Sequence, residues 1–140
     1  MPTITLDWVK DLAFLARDES GHTLALGGPP PGGGEAFGIK PGVLPLVALA
    51  GCMAWDIVSI LTKKRLTLEK LSITATSRHA EDYPKRMEQI LVSIDVRGDI
   101  PSPALRQAFD LSRTKYCSVL ATFLSPPEID FQLVLNDTPA

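Results

Sequence analysis

The stretch PGVLPLVALAGCMAWDIVSIL, Pro41 to Leu61, decides how the rest of the chain reads. Leu46, Leu49, Ala50, Met53, Ile57, Ile60 and Leu61 recur at helical spacing, and Val47, Ala54 and Val58 make the flank apolar too. Pro41 and Pro45 both suit a helix entrance, where a missing N–H costs nothing. They cannot both lie inside one regular helix, so the start falls at Val43 to Pro45 and the run ends near Lys63. A helix apolar nearly all round is buried on more than one side, as in the core of a sheet-wrapped unit or of a dimer. Asp56, the two prolines and the strand-like surroundings favour a core helix over a membrane span of similar length.

Upstream, Ile4, Leu6 and Trp8 alternate with polar residues, and Leu12, Phe14 and Ala16 repeat the period of two that marks half-buried strands. A turn at Asp18-Glu19-Ser20-Gly21 leads to a short strand at Thr23 to Leu26. The run Gly27 to Gly34, with three prolines, then forms a flexible connector. It lacks the Lys-Ser/Thr of a phosphate loop. Downstream, Leu71, Ile73 and Ala75 read as one strand, and Ile90, Val92, Ile94 and Val96 as its neighbour across the loop Arg78 to Lys85. Ser102-Pro103 opens a second helix expected to bury Leu105, Ala108, Phe109, Ser112, Tyr116 and Val119 and to carry Cys117 near its end. After Ser125-Pro126-Pro127, the alternation of Ile129, Phe131, Leu133 and Leu135 predicts a final strand. Strands and helices are segregated, so the class is α+β, a single domain over residues 1–140.

The 14 basic and 16 acidic residues give a net charge of −2, and the basic residues are scattered. The one basic run, Lys63-Lys64-Arg65, sits where it complements a helix C-terminus. Nucleic acid is therefore set aside as a partner. Met1 to Leu15 carries Asp7, Lys10 and Asp11 and has no apolar core of a signal peptide, so a cytoplasmic protein is expected. Two distant cysteines then read as free or cycling thiols rather than a structural disulfide.

Cys52 lies inside the first helix, with Asp56 and Ser59 four and seven residues on, a polar stripe on an apolar helix. A lone core cysteine is ordinarily an inert small hydrophobe. A buried Asp56 needs a partner and so suggests a site; the structural alternative is that it accepts from a backbone N–H or pairs with an Arg. Cys117 has Arg113 one turn back, a cation placed to favour its thiolate, although spacing alone favours an inert packed cysteine beside a solvated Arg. His22 and His79 fall in turns, face solvent and lack zinc-site spacing to either cysteine, so no metal and no cofactor is expected.

The stretch Pro41 to Leu61 resembles the central helix of the OsmC/Ohr family, and Leu111 to Val119 resembles that family's second-cysteine segment. Trp8 to Phe14 with Ser20-Gly21-His22 is similar to its YhfA-like branch. The resemblance implies an OsmC-like fold with antiparallel sheets around the long helix, in an intertwined homodimer. It implies a thiol peroxidase acting on organic hydroperoxides, with Cys52 as peroxidatic and Cys117 as resolving cysteine and an external dithiol as reductant. Members with that activity also use a Glu and an Arg. Gly42 and Val43 occupy the Glu positions here, Glu35 lies in the flexible segment, and Arg17 is the one candidate for the Arg.

Two physical points bear on this. Cys52 is about two turns into its helix, beyond the reach of the helix dipole, and an ionised Asp56 nearby opposes its thiolate. A second reading is therefore a non-catalytic dimer that binds a small apolar ligand or senses redox state. A third, a Cys-dependent transferase or hydrolase, finds no base or oxyanion motif.

Overall fold

A computed structural model describes residues 1–140, and the class is α+β as expected. The elements are β1 (Ile4–Lys10), β2 (Ala13–Asp18), β3 (Thr23–Gly27), α1 (Leu44–Lys63), β4 (Thr67–His79), β5 (Met87–Asp99), α2 (Ser102–Leu111), α3 (Ser118–Leu124), β6 (Val134–Leu135) and β7 (Thr138–Pro139). A 3-10 turn, Pro41–Val43, precedes α1, and a π-helical turn, Ser112–Tyr116, joins α2 to the segment before α3. The chain divides into two compact units, one of residues 1–50 and 73–94, the other of 51–72 and 95–140.

In the first unit, β1, β2 and β3 form an antiparallel meander, with Leu6 opposite Ala16 and Phe14 opposite Leu26. Its register slips between Trp8 and Lys10, a bulge beside the tight turn at Asp11. Gly27 closes β3 at φ 146°, and a Cβ there would collide with the Leu12 carbonyl. The connector that follows is pinned at one point, where Ile39 bridges to Leu26 and its carbonyl accepts from the Gly27 N–H at 3.0 Å.

β4 and β5 form a two-stranded hairpin sheet, each strand thirteen residues long and so longer than the alternation alone marked. Leu71, Ile73 and Ala75 on β4, and Ile90, Val92, Ile94 and Val96 on β5, are the half-buried positions, with the intervening residues exposed. The strand pattern was therefore read on the correct face. Beyond the loop, Arg78 donates to Glu88 at 2.7 Å across the hairpin.

The 3-10 turn absorbs Pro41, so α1 begins at Leu44 and keeps Pro45 in its first turn. It buries one row, Leu49, Met53, Ile57 and Leu61, spaced four residues apart. Its opposite row does not find cover within one chain: Val47 is 45% exposed and Trp55 79%. Over its most apolar window the mean hydropathy is 2.0, with 17% of that window buried, and by length and composition it could cross a membrane. Its end is a Schellman motif, in which Leu66 N–H donates to Leu61 and Arg65 N–H to Thr62, at 3.1 and 2.9 Å. Arg65 holds the left-handed position at φ 58° that glycine usually takes.

Two expectations about the C-terminal half are corrected. The second helix is not continuous: α2 stops at Leu111, the π-helical turn follows, and Cys117 leaves helical geometry at ψ 97° before α3 begins. Tyr116, expected to be buried, is 50% exposed, whereas Cys117 is 4% exposed. The final strand is also reduced. Only Val134–Leu135 pairs, with Thr138–Pro139, and Ile129, Phe131 and Leu133 lie outside any strand and exposed. Their alternation is real, but this chain offers them no neighbouring strand, and alternation without a ladder is not a strand.

Candidate functional site: two thiols and a carboxylate

The second unit gathers Cys52, Asp56 and Cys117. One ligand atom of each, the two Sγ atoms and a carboxylate oxygen, lies within 4.8 Å of the others. Cys52 and Asp56 are one turn apart on α1, which puts both on one face. Cys117 arrives from the other side of the sequence through the π-helical turn, closed by Cys117 N–H donating to the Ser112 carbonyl at 2.9 Å. Cys117 is then the N-cap of α3, its sulfur accepting from the Leu120 N–H at 3.4 Å. A serine or aspartate oxygen usually fills that role. Here a thiol does so, which fixes the sulfur's position.

Asp56 has its partner, and it is neither a backbone N–H nor an Arg. The Ser112 hydroxyl donates to Asp56 Oδ2 at 2.8 Å, and Ser112 is fully buried in the π-helical turn. This bond ties α1 to the turn that delivers Cys117. Ser112 had been read only as a buried helix position. Its spacing to Asp56 spans more than fifty residues, so no local pattern announces the pair.

Burial pushes the Cys52 thiol up, and the Asp56 charge adds to that. The Val119 N–H, the Cys117 thiol and the Ser118 hydroxyl outweigh both, leaving Cys52 below the usual cysteine value. Cys52 Sγ and Ser118 Oγ are 4.0 Å apart. Cys117 behaves oppositely. Burial raises it most, the Leu120 N–H lowers it, and Cys52 and Asp56 raise it further, so it lies above the usual value. The thiols are thus unequal: Cys52 is the more readily ionised, Cys117 the more readily kept protonated. Ser118 was not singled out from the sequence, although a hydroxyl next to a cysteine was the available signal.

No cation is among the groups acting on either thiol. Arg113 does not act on Cys117, in keeping with a solvated Arg: its guanidinium sits 3.6 Å from Asp110 and over the Phe109 ring. Once the helix breaks, a residue four before Cys117 no longer shares its side. Arg17 lies on β2 in the first unit, exposed, between Thr5 and Thr23. Glu35 is exposed in the connector, and Gly42 and Val43 are in the 3-10 turn. Ser59, the third member of the stripe, lines an open cavity of about 350 Å³ with Trp55, Asp56, Ile60, Lys63 and Tyr116. His22 pairs with Asp18 at 3.0 Å. His79 bonds to Ser77 and to the Lys85 carbonyl, at the end of β4 rather than in the turn itself.

Comparison with known proteins agrees with this fold. A family profile described as OsmC-like protein matches residues 32–132. Protein YhfA of Escherichia coli K12 is 37% identical over 113 residues, 80% of this chain and 81% of that protein. A hypothetical protein from Aquifex aeolicus VF5 superposes with a TM-score of 0.75 at 30% identity, covering 89% of each chain. An OsmC-like hydroperoxide resistance protein from Jannaschia sp. CCS1 shares the fold at a TM-score of 0.58 and 16% identity, covering 97% of this chain and 93% of that one.

Proposed function

The chain belongs to the OsmC family, and on that premise we propose that it reduces organic hydroperoxides through a redox cycle of Cys52 and Cys117. The observation that carries this reading is the pairing of unequal thiols: two sulfurs within 4.8 Å, one shifted toward thiolate and the other toward thiol. The Cys52 thiolate attacks the outer peroxide oxygen and the O–O bond breaks. The alkoxide leaves, takes a proton to become the alcohol, and Cys52 is left as a sulfenic acid. The Cys117 sulfur then displaces hydroxide from that sulfenic acid, water departs, and a disulfide forms. An external dithiol returns both thiols and is itself oxidised.

The roles follow the ionisation order, since the attacking group must be a thiolate and the resolving group needs only to be near. Asp56, anchored by Ser112, opposes negative charge on both sulfurs. The Val119 amide and the Ser118 hydroxyl take the part played elsewhere by an Arg. The apolar sequence of α1, with Met53 next to Cys52 and buried, suits an organic peroxide better than hydrogen peroxide. The working form is a homodimer in which a second copy covers the exposed Val47, Trp55 and Val58 row of α1, which places this helix in a dimer core rather than in a membrane. A reducing compartment such as the cytoplasm keeps the resting thiols free.

One observation favours a different reading, a slow redox sensor or small-ligand binder: with Gly42 and Val43 in place of the acid, and no cation acting on Cys52, transition-state stabilisation is weak. The deciding experiment mixes reduced protein and a dithiol with cumene hydroperoxide and follows peroxide loss beside a Cys52→Ser control. Multiple turnovers lost in the control support the peroxidase. A single stoichiometric oxidation to the disulfide supports the sensor, and equal negligible loss in both proteins sinks the redox cycle.

A further inference from the structure

We propose that the reduced Cys52, Asp56 and Cys117 form a binding site for a single thiophilic divalent cation, with zinc and cadmium as the fitting class. The inference does not depend on peroxide chemistry. It starts from the mutual distances: two sulfurs and a carboxylate oxygen lie within 4.8 Å of one another. In tetrahedral coordination with Zn–S bonds of about 2.3 Å, two sulfurs on one ion stand about 3.8 Å apart, so the ligands need to move by no more than about 1 Å. Two thiolates and one carboxylate are a donor set for zinc. Magnesium and calcium require six or more oxygens and are excluded by the sulfurs.

The surroundings are those of a supported site rather than of a chance cluster. Asp56 accepts from the buried Ser112 hydroxyl through Oδ2, which orients the carboxylate and leaves Oδ1 to ligate. Cys117 is held by the Leu120 N–H, and the α1 backbone fixes Cys52 and Asp56 one turn apart. Two thiolates and a carboxylate this close would repel one another, so they form together only with a divalent cation between them. The fourth position is left to water. Binding converts two thiols to thiolates and releases up to two protons per ion, so affinity rises with pH. The disulfide form has no thiolates to offer, so the site exists only in the reduced protein.

The experiment titrates reduced full-length protein with cadmium alone and reads the ultraviolet thiolate-to-cadmium charge-transfer band, with proton release measured in weak buffer. The expected result is one ion per chain, no band in protein oxidised to the disulfide or in Cys117→Ser, and affinity about tenfold or more weaker in Asp56→Asn. Circular dichroism of each variant separates lost ligands from lost fold, and the oxidised wild type tests the site without any substitution. Absence of the band in reduced wild type overturns the site. So does a band that needs both cysteines but is unchanged in Asp56→Asn, because a bare dithiol then accounts for it. No peroxide enters this assay, so its failure leaves the redox cycle standing, and failure of turnover leaves the metal site standing.

Discussion

Replacing Ser112 by Ala removes the donor that holds Asp56, and its cost can be worked from the structure. The bond is 2.8 Å long and joins a fully buried hydroxyl to a half-buried carboxylate. A hydrogen bond to a charged group contributes about 1.5–3 kcal/mol. Asp56 is not sealed from water and can recover part of that, so the lower end applies, about 1.5–2 kcal/mol. Losing one oxygen adds little packing cost. Urea unfolding at neutral pH and a fixed protein concentration is the assay, since the stability of the proposed dimer would depend on concentration. The midpoint should fall with an unchanged slope. Asp56→Asn removes the charge, and the double variant should lose about 1 kcal/mol less than the sum of the singles, because the two residues share one interaction. A loss under about 0.5 kcal/mol for Ser112→Ala, or singles that simply add, would refute the role given to this bond.

Other outcomes follow from the same geometry. Iodoacetamide should modify Cys52 before Cys117 as pH is raised, because Cys52 lies below and Cys117 above the usual thiol value. Mass spectrometry of peptides reads the order, and modification of Cys117 first contradicts the assigned roles. Ser118→Ala should move the onset of Cys52 alkylation to higher pH, since it deletes a group that favours the thiolate. Arg65→Gly should raise the stability of the chain by about 1 kcal/mol, because the left-handed position at φ 58° strains any residue with a Cβ. A lower melting temperature would show that the Arg65 side chain matters more than its backbone. Trp55→Glu should yield monomers in sedimentation velocity where the wild type gives dimers, and a monomeric wild type would remove the interface on α1.

Much of this molecule was legible because its signals are local. The Pro41 to Leu61 run declares its own helix, and the faces of β4 and β5 follow from alternation, since neither depends on a distant partner. The Cys52–Asp56 stripe is likewise set by one helical turn. What could not be read was set by contacts across the chain. The π-helical turn has no compositional mark, because Ser112 to Tyr116 would suit an α-helix equally well. Its existence depends on where the segment must deliver Cys117. Ser112 as the partner of Asp56 was hidden for the same reason. Arg113 as a cation for Cys117 required helix continuity, and the favoured reading of a solvated Arg is the one that fits. Ile129 to Leu133 were misread because a periodic pattern cannot say whether another strand is present to pair with it.

The π-helical turn also acts as an angular adjustment. Residues five apart on an α-helix point about 140° away from one another around the axis. Had α2 run on unbroken, Ser112 and Cys117 would project to nearly opposite sides. The Cys117-to-Ser112 backbone bond brings the two residues back into line, and both are buried. One spare residue thus sets the phase between the carboxylate's anchor and the second sulfur. Regularising the segment to α-helix at its present length would leave every named side chain of the site in the protein, yet turn one of them away.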